Sequence, residues 1–267
     1  YPELDDEPDI PRLARAGRHV APPRRYLRDI GIEVPAEDVA ATVTAQAKAG
    51  TGWVKIVGDW LDRGVGDLAP SWDAATMTAA VEAAHAAGAR AAVHTFSEEG
   101  VEIMVRAGVD SVEHGMFLDQ AAIELFLKTG ARLSATFLAP HGILSGPSVP
   151  GWIKDRARPA AEAQARSFQA AVQAGVPVVA GTDAGTPDNH HGGVAREVGF
   201  MVEAGLDVLR GVRAATAEGA DLLGVDDRGV LQRGAAADVL VAGGDVAADV
   251  AALQRVVAVF QDGRQVV

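Results

Sequence analysis

Cysteine is absent from the 267 residues, which excludes a disulfide framework and a thiolate metal site. Lysine is scarce, because only four of the 24 basic residues are lysines, namely Lys48, Lys55, Lys128 and Lys154. Arginine is thus the usual basic residue of this chain. A lysine inside an apolar strand is therefore informative about function.

Several other features are lacking. No apolar run is long enough to cross a membrane, and the first residues, YPELDDEPDIP, contain no strand and neither the basic nor the apolar part of a signal peptide. The net charge of −12 and the pI near 5.0 argue against nucleic acid or an anionic membrane as partner. These absences favour a cytoplasmic protein that acts on a small molecule.

One pattern recurs along the chain: a helix ends on a glycine and a short apolar strand follows. The glycines are Gly50, Gly88, Gly108, Gly130 and Gly175. Glycine just past a helix end typically takes the left-handed conformation, and apolar strands are typical of a sheet covered on both faces. The pattern predicts a parallel α/β fold. Residues 15–21 are interpreted as the remainder of a sixth strand.

The predicted strands carry polar residues at their ends, in the order Lys55, His94, His114, Thr136 and Asp183. In a (β/α)8 barrel the carboxyl ends of the strands converge, whereas in an open sheet they lie along a line. Convergence on one site therefore favours a barrel. Five or six strands are too few for closure, so the missing strands are expected before residue 1 or from another chain.

The last third of the chain changes character. After the loop 184–193, helices are predicted at 194–204 and 207–223, and the tail contains short strands with an Asp-Gly turn at 262–263. We predict two parts, a barrel over residues 1–224 and a segment of a small β-sheet over residues 225–267.

The histidines and Asp183 predict a metal site. Neutral imidazole is a common zinc ligand, and a carboxylate can bind a metal and accept a proton from water. The alternatives are that His94 and His114 are ordinary buried polar residues and that Asp183 caps a turn. Glu113 is expected to face away from the site, because side chains alternate along a strand.

Lys55 lies in the apolar strand WVKIV. Burial should lower the pKa of its amine, and the neutral amine can react with CO2 to give a carbamate that bridges two metal ions. Alternatively, the lysine extends to solvent or pairs with Asp59.

Substrate contacts are expected from loops at 58–71, 95–98, 115–119, 138–156 and 184–193. His191 and His141 are predicted to bind substrate. Packing is the expected role of His85, and no role is predicted for His19 and His190, which also fall in predicted loops. The aromatic residues of these loops are Trp60, Trp72, Phe117 and Trp152.

In combination, the strand WVKIV and the motifs AVHT, SVEHG and GTDAG resemble the metal-dependent amidohydrolase superfamily, in its imidazolonepropionase-like and prolidase-like branch. The resemblance covers residues 36–267 and includes the tail, which in that branch joins a β-sandwich. It implies a distorted (β/α)8 barrel with one or two divalent metal ions such as zinc. It also implies hydrolysis of an amide C–N bond by a metal-activated hydroxide.

The resemblance implies a role for each residue. Lys55, carboxylated by CO2, would bridge the metals, and His94 and His114 would bind the second ion. Asp183 would bind the first ion and act as the catalytic base. One part of the family pattern is lacking, since no His-x-His motif of the first barrel strand occurs here. Together with the missing strands, this predicts that the sequence begins after that region. The alternatives are that the chain is a fragment, that an N-terminal portion is lacking, or that this portion is supplied separately. The expected partner is a second copy of the chain or a separate N-terminal portion.

Three hypotheses of function follow. The first is a hydrolase of dipeptides or N-acyl amino acids. The second is a non-catalytic or incomplete amidohydrolase fragment that binds at most one metal. The third is a metal-free barrel whose histidines are structural.

Overall fold

The structure is a computed structural model that describes residues 10–27, 30–186 and 189–267. The predictions for the first nine residues, that they hold neither a strand nor a leader sequence, lie outside the described residues. Within the described part, no helix combines the length and apolarity needed to cross a membrane.

The centre of the fold is a seven-stranded sheet in which every paired strand is parallel to its neighbour. Its strands are β1 (His19–Ala21), β2 (Gly31–Glu33), β3 (Trp53–Val57), β6 (Arg90–Thr95), β7 (Ser111–His114), β8 (Arg132–Ser134) and β9 (Val178–Val179). The order across the sheet is β2-β1-β3-β6-β7-β8-β9. Among the described residues no pairing joins β2 to β9, so the sheet is an open arc. The predicted α/β class is confirmed.

Helices alternate with the strands and cover the sheet. They are α1 (Val39–Ala49), α2 (Ala74–Ala86), α3 (Glu98–Ala107), α4 (Gln120–Thr129), α5 (Leu138–Ser145), α6 (Gly151–Ala174), α7 (Val194–Glu203), α8 (Val208–Ala214) and α9 (Ala217–Leu223). The core lies between strands and helices, where Ile56, Val93 and Leu133 of the strands and Met104 and Phe126 of the helices are buried. Burial of apolar surface on this scale is the main stabilising contribution to such a fold.

The glycine pattern is confirmed at α3, α4 and α6, where the residue after the helix, Gly108, Gly130 or Gly175, is left-handed. Gly50 after α1 is different, because its φ is −85°. A Cβ at Gly50 would lie 2.5 Å from the carbonyl oxygen of Arg15. The glycine is therefore needed for a close approach of two backbone segments, and the predicted left-handed cap is wrong at this position.

Several predicted boundaries are also wrong. The region 58–71 is not a plain loop but an antiparallel hairpin of β4 (Asp59–Asp62) and β5 (Asp67–Pro70). The region 138–156 contains α5 and the beginning of α6, and the helix predicted over 207–223 is divided into α8 and α9. The strand β2 was not predicted. Its three residues are too few to produce a recognisable period.

The tail forms a separate antiparallel sheet of β10 (Val239–Ala242), β11 (Val256–Gln261) and β12 (Arg264–Gln265). At the predicted turn, Asp262 and Gly263 both have positive φ, at +49° and +78°, as the tightest hairpins require. Leu240, Val256 and Val257 are exposed on this sheet. The predicted turn and strands are confirmed, while the division of the chain into residues 1–224 and 225–267 stays a prediction.

Candidate metal and active site

The four predicted site residues lie toward one edge of the parallel sheet. Lys55 is in β3, His94 in β6 and His114 at the end of β7, and Asp183 follows β9. Lys55 interacts electrostatically with Asp183, His94 and His114. The structure thus brings together the four residues that the sequence places at strand ends. Their roles stay predictions.

His94 and His114 form the centre of this cluster. The Nε2 atom of His114 lies 2.9 Å from Nδ1 of His94, and both side chains are only 4% exposed. On its other side, Nδ1 of His114 lies 2.6 Å from Oγ1 of Thr136. Thr136 donates its only proton to the carbonyl oxygen of Ala135, so it accepts one from His114 Nδ1. This network leaves the lone pair of His114 Nε2 directed at His94.

Both imidazoles are held in the neutral form. Burial, together with the charge of Lys55, lowers the pKa of His114 to about 3. Burial, followed by the nearby His114 and Lys55, lowers the pKa of His94 well below its ordinary value. In addition, Nε2 of His94 is buried without a hydrogen-bond partner. Neutral imidazole is the form that binds metal.

The histidine pair fits one metal ion. Two imidazole nitrogens that share a tetrahedral zinc ion, each about 2.0–2.1 Å from it, are roughly 3.3 Å apart. The observed 2.9 Å between His94 Nδ1 and His114 Nε2 requires only a small opening. In the described ranges no three His, Asp or Glu side chains are grouped closely enough to share a metal. The predicted assignment of Asp183 to a separate ion stays a prediction.

Lys55 is partly buried beside two carboxylates. Burial lowers the pKa of its amine, while Glu113 and Asp183 act in the opposite direction. Burial also raises the pKa of Asp183. The charge of Lys55 opposes this change and the charge of Glu113 adds to it. The residue is nevertheless partly accessible, because Asp183 is exposed to solvent. The alternative pairing of Lys55 with Asp59 is not observed.

Glu113 faces the site, so the prediction that it faces away is wrong. It pairs in register with His94, and paired residues of parallel strands project to the same face. Simple alternation fails because the next residue, His114, has a φ of +74°. The left-handed backbone turns the His114 side chain toward His94 as well.

Left-handed backbone recurs at three strand ends. His114, Thr136 and Asp183 have φ values of +74°, +54° and +53°. Such values are uncommon for residues other than glycine and cost on the order of 1–3 kcal/mol each. They persist only where neighbouring groups hold them, and residues so held concentrate at functional sites.

Three buried polar side chains hold these strand ends. Nε2 of Gln164 donates to the carbonyl oxygens of His114 and Ala135. Nδ2 of Asn189 donates to the carbonyl oxygens of Thr182 and Asp183, at 2.6 and 2.9 Å.

The third side chain is Glu197, which is fully buried. Its carboxylate accepts the backbone N–H groups of Phe137 and Leu138, at 2.8 and 2.9 Å, directly after the left-handed Thr136. Each of the three strand ends is thus fastened by a polar side chain from outside the sheet.

An aromatic wall borders the histidines. Tyr26, Trp60 and Phe96 each place a ring against His94, with centroids 5.6, 4.9 and 4.4 Å away. The Tyr26 hydroxyl lies 3.3 Å from Nδ1 of His19, and burial with the nearby Asp183 charge raises the pKa of Tyr26 to about 12. His19 lies in β1, which confirms the strand predicted within residues 15–21 and not the loop predicted for this histidine.

The turn that carries Tyr26 is tied to the hairpin. Arg25 donates to the carbonyl oxygens of Trp60, Ala69 and Pro70, at 2.7–3.0 Å. On the other side of the hairpin, the fully buried Asp59 accepts hydrogen bonds from the backbone of Phe96 and Ser97 and from the hydroxyl groups of Thr95 and Ser97. These bonds fix the aromatic wall beside the histidine pair.

The two predicted substrate residues, His141 and His191, line one cavity of about 240 Å³. Leu138 also lines it, and so does Asn189, which is bonded to the backbone of Asp183. The cavity therefore adjoins the strand ends β8 and β9. Two aromatic residues of the predicted pocket lie elsewhere, because Trp72 is buried in the core and Trp152 is 64% exposed.

Four residues of the site, Tyr26, Gln164, Asn189 and Glu197, are not predicted from the sequence. Tyr26 and Asn189 lie in irregular segments, and Gln164 and Glu197 lie in helices whose pattern indicates only packing. A partial signal is available for Glu197, since an apolar residue follows it and it lies one helical turn before Met201 on the buried face of α7.

Comparison with known proteins agrees with this architecture. The sequence profile of the amidohydrolase family matches residues 33–266. An uncharacterized protein of Mycobacterium tuberculosis is 40% identical over 232 residues, which cover 84% of this chain and 62% of that protein. The ochratoxinase of Aspergillus niger is 28% identical over 215 residues, which cover 76% of this chain and 43% of that enzyme. The chain thus spans less than two thirds of the length of these relatives.

Solved structures show the same fold. A crystal structure of a Xaa-Pro dipeptidase with bound methionine in the active site superposes with a TM-score of 0.83 and 26% identity, over 98% of this chain and 70% of that one. The crystal structure of A. niger ochratoxinase superposes with a TM-score of 0.76 and 23% identity, over 93% of this chain and 59% of that one. The resemblance inferred from the strand-end motifs is confirmed: the chain belongs to the amidohydrolase family.

Proposed function

We propose that the protein is a metal-dependent hydrolase that cleaves an amide C–N bond in a small substrate such as a dipeptide or an N-acyl amino acid. The observation that carries the proposal is the neutral pair of His94 Nδ1 and His114 Nε2, 2.9 Å apart at the sheet edge that also holds Lys55 and Asp183. The similarity to a Xaa-Pro dipeptidase and to ochratoxinase supports amide substrates.

Four residues of the chain would have distinct roles in metal binding and proton transfer. His94 and His114 would hold one ion, and Lys55, as its carbamate, would bridge to a second ion bound by Asp183. A bound divalent metal would act as a Lewis acid toward the scissile carbonyl and would make water a better nucleophile. Asp183 would take the proton of the attacking water on a carboxylate oxygen and pass it to the leaving nitrogen. Its raised pKa favours that task.

The surrounding residues support this chemistry. Tyr26, Trp60 and Phe96 would shield the reacting groups from bulk water and contact apolar parts of the substrate. Carboxylation of Lys55 replaces a cation by an anion beside Glu113 and Asp183, so the carbamate is expected to form only together with metal binding.

A second candidate is an incomplete amidohydrolase that binds at most one metal. It is favoured by the open arc of described strands and by the lack of a His-x-His motif in the sequence. The experiment is to assay purified chain on Xaa-Pro dipeptides and N-acyl amino acids, with and without zinc, alongside metal analysis. Zinc-dependent hydrolysis supports the hydrolase, and one bound zinc without hydrolysis supports the second candidate. A chain that binds no zinc would overturn the metal-dependent hydrolase.

A further inference from the structure

The cavity of about 240 Å³ beside the strand ends has an unusual lining. Its polar side chains include three imidazoles and one guanidinium, and we call the set His141, His190, His191 and Arg196 the His–Arg pocket. None of the described residues that line it is a carboxylate. This is notable in a chain with a net charge of −12, in which carboxylates outnumber basic residues by 36 to 24.

Arg196 has no counter-ion in the described part of the structure. Its side chain forms no hydrogen bond or ion pair there, and its guanidinium lies 6.0 Å from the ring centre of Phe200. A second cavity, at the opposite edge of the sheet, makes a useful contrast. There Arg132 pairs with Asp221, and Arg90 donates to the carbonyl oxygen of Leu222, so both arginines have structural partners. Arg196 is left available for a ligand.

The walls of the His–Arg pocket are fastened to the candidate site. Asn189 lines the pocket and donates to the carbonyl oxygen of Asp183 at 2.9 Å. Leu138 lines it as well, and its N–H is held by the buried Glu197, the residue after Arg196. The ring of His141 packs against Phe200 with centroids 4.8 Å apart, which limits movement of that imidazole. A ligand group in the pocket would therefore have a fixed position relative to Asp183.

We propose that the His–Arg pocket binds a carboxylate of the leaving amino acid of the substrate, with Arg196 as its principal contact. This inference deepens the proposed function and rests on it. A planar guanidinium accepts a carboxylate through two parallel hydrogen bonds, and the imidazoles can donate further ones. The volume suits one small charged group and is below the range of about 300–1,000 Å³ typical of sites that enclose a whole drug-sized ligand.

The test is calorimetric titration of the full chain with three ligands that differ in charge. N-acetyl-L-glutamate carries two carboxylates, N-acetyl-L-glutamine carries only the α-carboxylate, and N-acetyl-L-glutamine amide carries none. Removal of the recognised carboxylate should weaken binding to the wild-type chain about tenfold, equivalent to about 1.4 kcal/mol. If N-acetyl-L-glutamine binds more weakly than N-acetyl-L-glutamate, the pocket recognises the side-chain carboxylate. If the affinity falls only between N-acetyl-L-glutamine and its amide, the pocket recognises the α-carboxylate.

Variants show whether Arg196 is responsible. Arg196→Gln should abolish the tenfold preference, and Arg196→Lys, which keeps the charge, should recover part of it. The matched control is Arg106→Gln, which removes one exposed positive charge from α3 and should leave the preference intact.

Equal affinity for the three ligands, no binding of any of them, or an Arg196→Gln effect of the same size on all three would overturn the inference. Analysis of the ligands after titration separates this result from the proposed function. Hydrolysis without charge preference would sustain only the proposed function. A preference that depends on Arg196, without hydrolysis in the presence of zinc, would sustain only the pocket.

Discussion

The buried Glu197 should make the stability of this protein depend on pH in an unusual direction. Its side chain is fully buried, and burial raises its pKa to about 7, although the hydrogen bonds from Leu138 and Phe137 oppose the change. The folded state therefore holds the Glu197 proton more tightly than the unfolded chain does. The contribution of this group to the free energy of unfolding is fully present below about pH 4.5 and is lost as the pH rises through about 7.

The magnitude follows from the two pKa values. A difference of about 2.5 pKa units between the folded and unfolded states corresponds to about 3 kcal/mol. Glu197→Gln removes this titration, because the amide stays neutral. Where the wild-type group is neutral, the substitution costs about 1–3 kcal/mol, since the NH2 group of the amide cannot accept one of the two backbone N–H groups that the Glu197 carboxyl group accepts.

The assay is urea unfolding of the wild-type chain and of Glu197→Gln between pH 4.5 and 8. The wild-type chain should be the more stable of the two at pH 4.5. Its advantage should shrink by about 3 kcal/mol as the pH rises to 8. Glu203→Gln, an exposed change on the same helix, is the control and should follow the wild-type profile. Parallel profiles for wild type and Glu197→Gln would refute the reasoning.

Three further predictions concern the site. In a preparation that hydrolyses an amide substrate, Lys55→Ala and His114→Ala should each abolish hydrolysis without changing the circular dichroism, since each removes a proposed metal ligand. Near-normal turnover with metal present would contradict the assignment. Metal analysis of residues 1–267 should find at most one firmly bound zinc, because His94 and His114 lie close enough to share one ion and no group of three His, Asp or Glu side chains among the described residues could hold another. Two firmly bound zinc ions per chain would contradict this prediction. Asp59→Asn should lower the free energy of unfolding by about 1–3 kcal/mol, measured in urea, because the buried carboxylate accepts N–H groups from Phe96 and Ser97. An unchanged unfolding midpoint would exclude this role.

The candidate ligands were predictable because they occupy positions that local pattern defines. When an apolar strand follows a helix that ends on glycine, the sequence shows where the strand ends. His94, His114 and Asp183 lie at or just beyond such ends. Parallel pairing then places them at one edge whatever the details of packing. The Asp-Gly turn at 262–263 was predictable for a similar reason, since few residues tolerate positive φ at both positions.

Predictions that relied on alternation or on loop composition were less successful. Glu113 lies on the site face because a left-handed residue follows it, and no periodicity in the sequence reports a φ of +74° at His114. The composition of the hairpin β4–β5 indicates a loop, because its eight strand residues include three aspartates and a proline, which are rare in strands. Its bonds with Arg25 compensate for that composition.

By itself, the sequence determined the α/β class, the resemblance to amidohydrolases and the residues offered for metal binding, because each depends on contacts or chemistry local to a strand and its neighbouring helix. Only the tertiary structure decided how those residues are held and what surrounds them. Gln164, Asn189 and Glu197 bind the backbone at the strand ends, Tyr26 completes an aromatic wall, and Arg196 lines a cavity. Two of these contacts join residues far apart in the chain, since Glu197 bonds to Phe137 and Tyr26 packs against His94. Local sequence patterns do not report which distant residues come into contact.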